Sequence, residues 1–155
     1  MRTVLLLLLF CPAIAHAWPA TVMSVTDGDT LRVAPCGDRS AVVAVRLYGI
    51  DAPEKDQTGG IEAGLALKAL APVGTEVEIV PMDFDHYGRV VGLLMANGVC
   101  ANTQMIETGH AWVYERYCQA SMCRGWRKSQ ELAIKRGQGL WSESKALPPW
   151  EWRKK

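Results

Sequence analysis

Thr21-Val-Met-Ser-Val-Thr-Asp-Gly-Asp-Thr30-Leu-Arg-Val-Ala34, followed after a short break by Ala41-Val-Val-Ala-Val-Arg-Leu-Tyr-Gly-Ile50-Asp-Ala-Pro-Glu54, decides the fold of this chain. Rich in Val, Leu and Thr, residues 21–27, 30–34 and 41–50 read as three β-strands, punctuated by the turn formers Asp27-Gly28 and Pro35-Cys36-Gly37-Asp38. Two hairpins in succession make an antiparallel meander. Such a meander brings Asp29, just past the first turn, and Asp51, at the close of the third strand, to the same end of the sheet.

Working outward, residues 62–71 read as a short helix stopped by Pro72 and Gly74. Residues 75–82 alternate Val77 and Ile79 with Glu76 and Glu78, as a half-buried strand does. Residues 89–96 form a fifth strand, and Asn97-Gly98 turns the chain into a second helix over 102–108, ended by Gly109. A third helix spans 121–136 with Gly137 just past its end. From residue 142 onward, Pro148-Pro149 and Lys154-Lys155 read as a loose, basic tail. Five strands with a helix between the third and fourth predict an α+β, mainly β protein: a five-stranded Greek-key barrel of the OB type with three helices.

At 155 residues the chain is long enough for one domain with a real core. Residues 1–17 read as a signal peptide: Arg2 is a positive start, residues 4–15 are apolar, and Ala15-His16-Ala17 is a small-x-small cleavage signal before Trp18. Those twelve apolar residues fall short of the about 20 that span a bilayer as a helix. The expectation is therefore a secreted or periplasmic monomer, with no stable membrane attachment after cleavage. The remainder divides into a domain over 18–143 and a basic tail over 144–155.

Without Arg2 the chain carries 16 basic and 16 acidic residues, so its global charge does not announce a polyanion partner. The distribution says more: residues 18–115 hold 6 basic and 13 acidic residues, and residues 116–155 hold 10 and 3. That basic third either attracts a polyanion locally or, for Arg124, Arg127, Lys128, Lys135 and Arg136, forms the wet face of a helix. Past the leader stand Cys36, Cys100, Cys118 and Cys123, an even count that points to two disulfides with three possible pairings. The five-residue separation favours Cys118–Cys123, which leaves Cys36–Cys100.

The chemistry lies in three strings: Asp27-Gly-Asp29-Thr30, Arg46-Leu-Tyr-Gly-Ile-Asp51-Ala52-Pro53-Glu54 and Asp85-His-Tyr87-Gly-Arg89. Hydrolysis of a phosphodiester needs a water, a base to take its proton, and positive charge around the phosphoryl oxygens. Asp29, Asp51 and a backbone carbonyl are oxygen donors that suit calcium or magnesium. Glu54, on a loop stiffened by Pro53, is the candidate base. Arg46 interrupts an apolar run, where a charge needs a partner or a use, and with Arg89 it offers planar forks to a phosphate. Residues 46 and 51 have opposite parity, so a bend near Gly49 is expected to bring them to one face.

These ordered motifs, with Gly139-Leu-Trp141-Ser-Glu143, resemble the staphylococcal nuclease family of secreted, calcium-dependent nucleases over residues 20–143. The resemblance implies Asp29, Asp51 and the carbonyl of Ala52, where relatives usually carry threonine, as metal ligands. It implies Glu54 as base, Arg46 and Arg89 on the transition state, and Tyr87 and Tyr117 beside the nucleotide. It also implies hydrolysis of DNA and RNA with little sequence preference, leaving 3′-phosphates. Glu115 and His86 depart from the pattern, where a tyrosine and a lysine are expected. Two other readings compete: an inactive barrel that only binds nucleic acid, and a calcium-stabilised structural domain.

Overall fold

The computed structural model describes residues 16–142 and 146–155, so residues 1–15 of the expected leader lie outside the described part. Strands β1 (Trp18–Val25), β2 (Thr30–Pro35) and β3 (Val43–Leu47) form the expected antiparallel meander. Next come β4 (Ile50–Asp51), helix α1 (Gly60–Leu70), β5 (Glu76–Phe84), β6 (Val90–Ala96) and β7 (Val99–Cys100). Helix α2 (Ala101–Glu107), β8 (Trp112–Val113), α3 (Cys123–Lys135), a 3-10 turn (Gly139–Ser142) and α4 (Pro149–Trp152) complete the chain.

The main sheet runs β3-β2-β1-β5-β6-β7, and a parallel pairing of β3 with β6 closes it into a barrel. The fold is α+β and mainly β, a closed five-stranded barrel with helices, as the sequence predicts. Alternate residues face inward, among them Val22, Leu31, Val33, Val45, Leu47, Ile79 and Leu94. Burying each such side chain contributes about 1.5–3 kcal/mol, which is what makes the alternation decide the register. Trp112 and Trp126 are buried, the latter donating its indole N–H to Thr103 Oγ1 at 2.9 Å. Among the described residues no helix is long and apolar enough to cross a membrane.

The third expected strand breaks in two. After β3 the chain turns at Tyr48-Gly49, and β4 leaves the barrel to pair with β8 (Ile50 opposite Val113, Asp51 opposite Trp112). Gly49 has φ +70°, and a Cβ there would lie 2.7 Å from Cys118 Sγ. The turn therefore needs glycine both for its backbone and for the sulfur packed on it. Because strand parity ends at this turn, Arg46 and Asp51 reach the same site.

Two expectations fail. Cys118 and Cys123 are bonded, with Cα atoms 5.7 Å apart, but Cys36 and Cys100 are free thiols. Cys36 follows β2 and Cys100 ends β7, with β1, β5 and β6 between them in the sheet. In register Cys36 lies beside Pro19, Pro19 faces Glu78, Glu78 faces Met95 and Met95 faces Cys100, so the two thiols are never on neighbouring strands. Nor is the described end of the tail loose. Pro149 is buried, Trp150 stacks on Tyr114 with ring centroids 5.3 Å apart and planes 3° from parallel, and Gln57 Nε2 donates to the carbonyl of Leu147. Trp150 and Pro149 override the basic composition that suggested a free end.

Candidate active site

The turn between β1 and β2 carries the first acid. Gly28 lies so close to Ala52 and Ala63 that a Cβ on it would stand 2.6 Å from each of theirs, so only glycine lets this turn settle against α1. Asp27 behaves chiefly as the turn former, its Oδ1 accepting from the Asp29 N–H at 3.1 Å. Asp29 then ties the region together. Its Oδ2 accepts from the Ala52 N–H at 2.7 Å, its Oδ1 from Thr30 Oγ1 at 3.0 Å, and its carbonyl from the Leu47 N–H at 2.8 Å.

Arg46 leaves β3 on this side and spans both acids. Its Nη2 donates to Asp51 Oδ1 at 2.9 Å, and its Nη1 lies 2.7 Å from Asp29 Oδ1 as an ion pair without hydrogen-bond alignment. Asp51 is only 1% exposed. Burial pushes its carboxyl above the ordinary value, against the opposing pull of Arg153 and Arg46. Asp27 is pushed up to about 6, first by burial and then by the charge of Asp29. A group of acids held this closely needs positive charge.

Glu54 sits on the loop after β4, where its N–H donates to Gln57 Oε1 at 3.2 Å and its carbonyl accepts from the Gln57 N–H at 2.9 Å. Its carboxylate is bound by Arg153 Nη1 at 2.7 Å; the same guanidinium donates through Nη2 to Asp51 Oδ2 at 2.7 Å. Asp29, Arg46, Asp51, Ala52 and Glu54 thus converge as the sequence predicts. Arg153 joins them unannounced, from residues in which only charge was legible.

Arg89 stands immediately before β6. Arg46 is opposite Val91 in the parallel β3–β6 pairing, so Arg89, two residues earlier, shares the outward face of Arg46. Its partner is Asp85, whose Oδ2 accepts from Arg89 Nε at 2.7 Å while Oδ1 accepts from the backbone N–H groups of Tyr87 (2.9 Å) and Arg89 (3.0 Å). Tyr87 is 74% exposed on that turn, with the His86 ring tilted 41° against it and the Arg89 guanidinium 5.4 Å from its ring centre. Tyr117, also exposed, packs edge-on against Tyr114 at 4.9 Å. Glu115, the departure from the family pattern, is engaged by Arg127 at 2.8–2.9 Å.

Asp85, which opens the third motif, is the side chain that holds the candidate Arg89. Partial desolvation works upward on its carboxyl, but the bonds from Arg89 and the Tyr87 N–H outweigh it and hold the group below the ordinary value. A depressed carboxylate stabilises the fold above its unfolded pKa of about 3.9, and that contribution disappears as pH falls through the folded value. Asp85→Asn is therefore expected to lose less melting temperature than the parent between pH 5 and pH 3 (about that window, from the reference value). At neutral pH it should cost roughly 10-fold in kcat/KM, less than the about 10²-fold of a full 1 Å misplacement, because Arg89 keeps its charge but loses its aim. Equal activity in the two proteins would show that the turn does not aim Arg89.

Among the described residues no three His, Cys, Asp or Glu side chains converge as a closed metal centre requires. The candidate donors are the two buried carboxylates of Asp29 and Asp51 and the backbone carbonyl of Ala52, the residue next to Asp51 whose N–H bonds Asp29. All three donors are hard oxygens, and the carboxylates already draw two guanidinium groups. These residues fit a hard divalent cation whose remaining ligands are water and substrate.

A small closed barrel that presents paired acids, a flanking glutamate and phosphate-sized arginine forks belongs to the class of barrels equipped for phosphodiesters. A family model described as staphylococcal nuclease homologue matches residues 44–143, and the chain belongs to that family. Asp29 precedes the matched span, and the fold brings it to the matched residues. An uncharacterised endonuclease of Escherichia coli is 35% identical over 99% of this chain and 98% of its own length. A micrococcal nuclease of Shigella flexneri is 32% identical over 86% of this chain and 79% of its own length. A probable staphylococcal-like nuclease of Oryza sativa is 39% identical over 71% of this chain but only 32% of that longer protein.

Proposed function

We propose that the protein is an exported, calcium-dependent nuclease that hydrolyses phosphodiester bonds of DNA and RNA with little sequence preference and leaves 3′-phosphates. The observation that carries this reading is the convergence of Asp29, Arg46, Asp51 and Glu54 within one hydrogen-bonded cluster. Asp29, Asp51 and the Ala52 carbonyl would hold the cation, which supplies positive charge for the phosphoryl oxygens when bound. Glu54 takes the proton of the attacking water. Arg46 and Arg89 donate to the phosphate oxygens as negative charge accumulates there, and Tyr87 and Tyr117 flank the nucleotide. The reading includes release as a monomer after removal of residues 1–17, in keeping with the Cys118–Cys123 disulfide.

Digestion of plasmid DNA and of RNA with calcium, and again with chelator, tests it. Cleavage only in the calcium tubes, with 3′-phosphate ends, is the expected result. Binding without cleavage in either tube would leave only the binding barrel.

A further inference from the structure

Arg153 reaches the acids from the last residues of the chain, 102 positions beyond Asp51. It donates through Nη2 to Asp51 Oδ2 at 2.7 Å and through Nη1 to Glu54 Oε1 at 2.7 Å and Asp51 Oδ1 at 3.3 Å. Together with Arg46 it occupies both carboxylate oxygens of Asp51. These are the oxygens a cation would use, and Glu54 is the group that must be free to take a proton.

Exposed ion pairs hold little energy, but this one ends on a carboxylate that is 1% exposed. It is also delivered by an anchored element. Gln57, buried beneath Glu54, accepts from the Glu54 N–H and donates to the Leu147 carbonyl, so one side chain links the Glu54 loop to the tail. Trp150 fixes α4 against Tyr114.

We propose that Arg153 is a tethered counter-ion of the carboxylate site, and that the α4 segment is a strap that a divalent cation must lift to enter; this rests on the cation site of the preceding section. Occupancy makes the two exclusive. Arg46 and Arg153 together hold both oxygens of Asp51, so a cation reaches them only by displacing one guanidinium. Arg153, 42% exposed against 15% for Arg46, is the one free to leave. The strap also keeps Glu54 bonded until the cation arrives, so entry of the cation and release of the base are one event.

Calorimetric titration with calcium chloride, without nucleic acid, tests the competition. Arg153→Ala is expected to bind calcium about 5- to 150-fold more tightly than the parent, the usual range for coupling between two sites. Lys154→Ala removes a charge one residue away that faces Glu151, and is expected to leave the affinity unchanged. In the parent, calcium is expected to speed amide hydrogen exchange over residues 149–155; in Arg153→Ala it should not. Equal affinity in parent and Arg153→Ala, or equal tightening in both variants, overturns the strap while leaving the cation site standing. Absence of calcium binding in every protein overturns the cation site and the strap with it.

Discussion

Glu54→Gln is expected to lower kcat on DNA by about 10²- to 10⁴-fold while leaving the melting temperature unchanged. The substitution keeps the size of the side chain and one oxygen for Arg153, and removes the negative charge together with the ability to take a proton. Stability should hold because the loop is fixed through its backbone: the Glu54 N–H and carbonyl are both bonded to Gln57, and Gly60 packs against that carbonyl so closely that any Cβ would clash. Steady-state kinetics with thermal unfolding on the same preparation checks both halves. Parent-like turnover would move the base elsewhere, and the buried acids Asp29 and Asp51 are already committed to Arg46.

Asn102→Leu is expected to cost about 3 kcal/mol, because removing one buried partner strands two backbone groups at roughly 1–3 kcal/mol each. Asn102 is 0% exposed. Its Oδ1 accepts from the Leu94 N–H at 3.1 Å, and its Nδ2 donates to the carbonyls of Tyr48 at 3.0 Å and Gly92 at 3.2 Å. Leucine fills similar space but leaves the Leu94 N–H and the Tyr48 carbonyl without this partner, while the Gly92 carbonyl keeps the Tyr48 N–H at 2.8 Å. Melting should fall by about 10 °C, at roughly 3 °C or more per kcal/mol for a domain of this size. The Tyr48 carbonyl belongs to the turn that carries the chain from Arg46 to Asp51, so kcat per folded molecule should fall as well. A loss below about 1 kcal/mol, measured in urea, would mean that the stranded groups find other partners.

The barrel and the centre of the site were legible because both are written locally. Alternating Val, Leu and Ile set the strands, Asp27-Gly28 set the first hairpin, and the spacing from Arg46 to Glu54 put a cation, an acid and a base within one turn of chain. The conflict of parity between Arg46 and Asp51 even pointed to a bend at Gly49, where the structure has one. What escaped is long-range. Asp85 was invisible because its role is to bond the backbone of its own turn, which no charge pattern marks. Arg153 was invisible because nothing in Pro148-Pro149-Trp150 states which surface those rings will meet. The Cys36–Cys100 pairing failed for the same reason: counting thiols ignores the strands that lie between them.

The parallel join of β3 to β6 sets Val45 against Val90, 45 residues apart, and so closes a long loop that ordinarily forms late. Arg46 and Arg89 flank that seam, whereas Asp29 comes from the opening hairpin. The candidate site is complete only when that seam has closed. On the proposal that the protein is an exported nuclease, a chain still unfolded would lack the closed seam on which the candidate site is built.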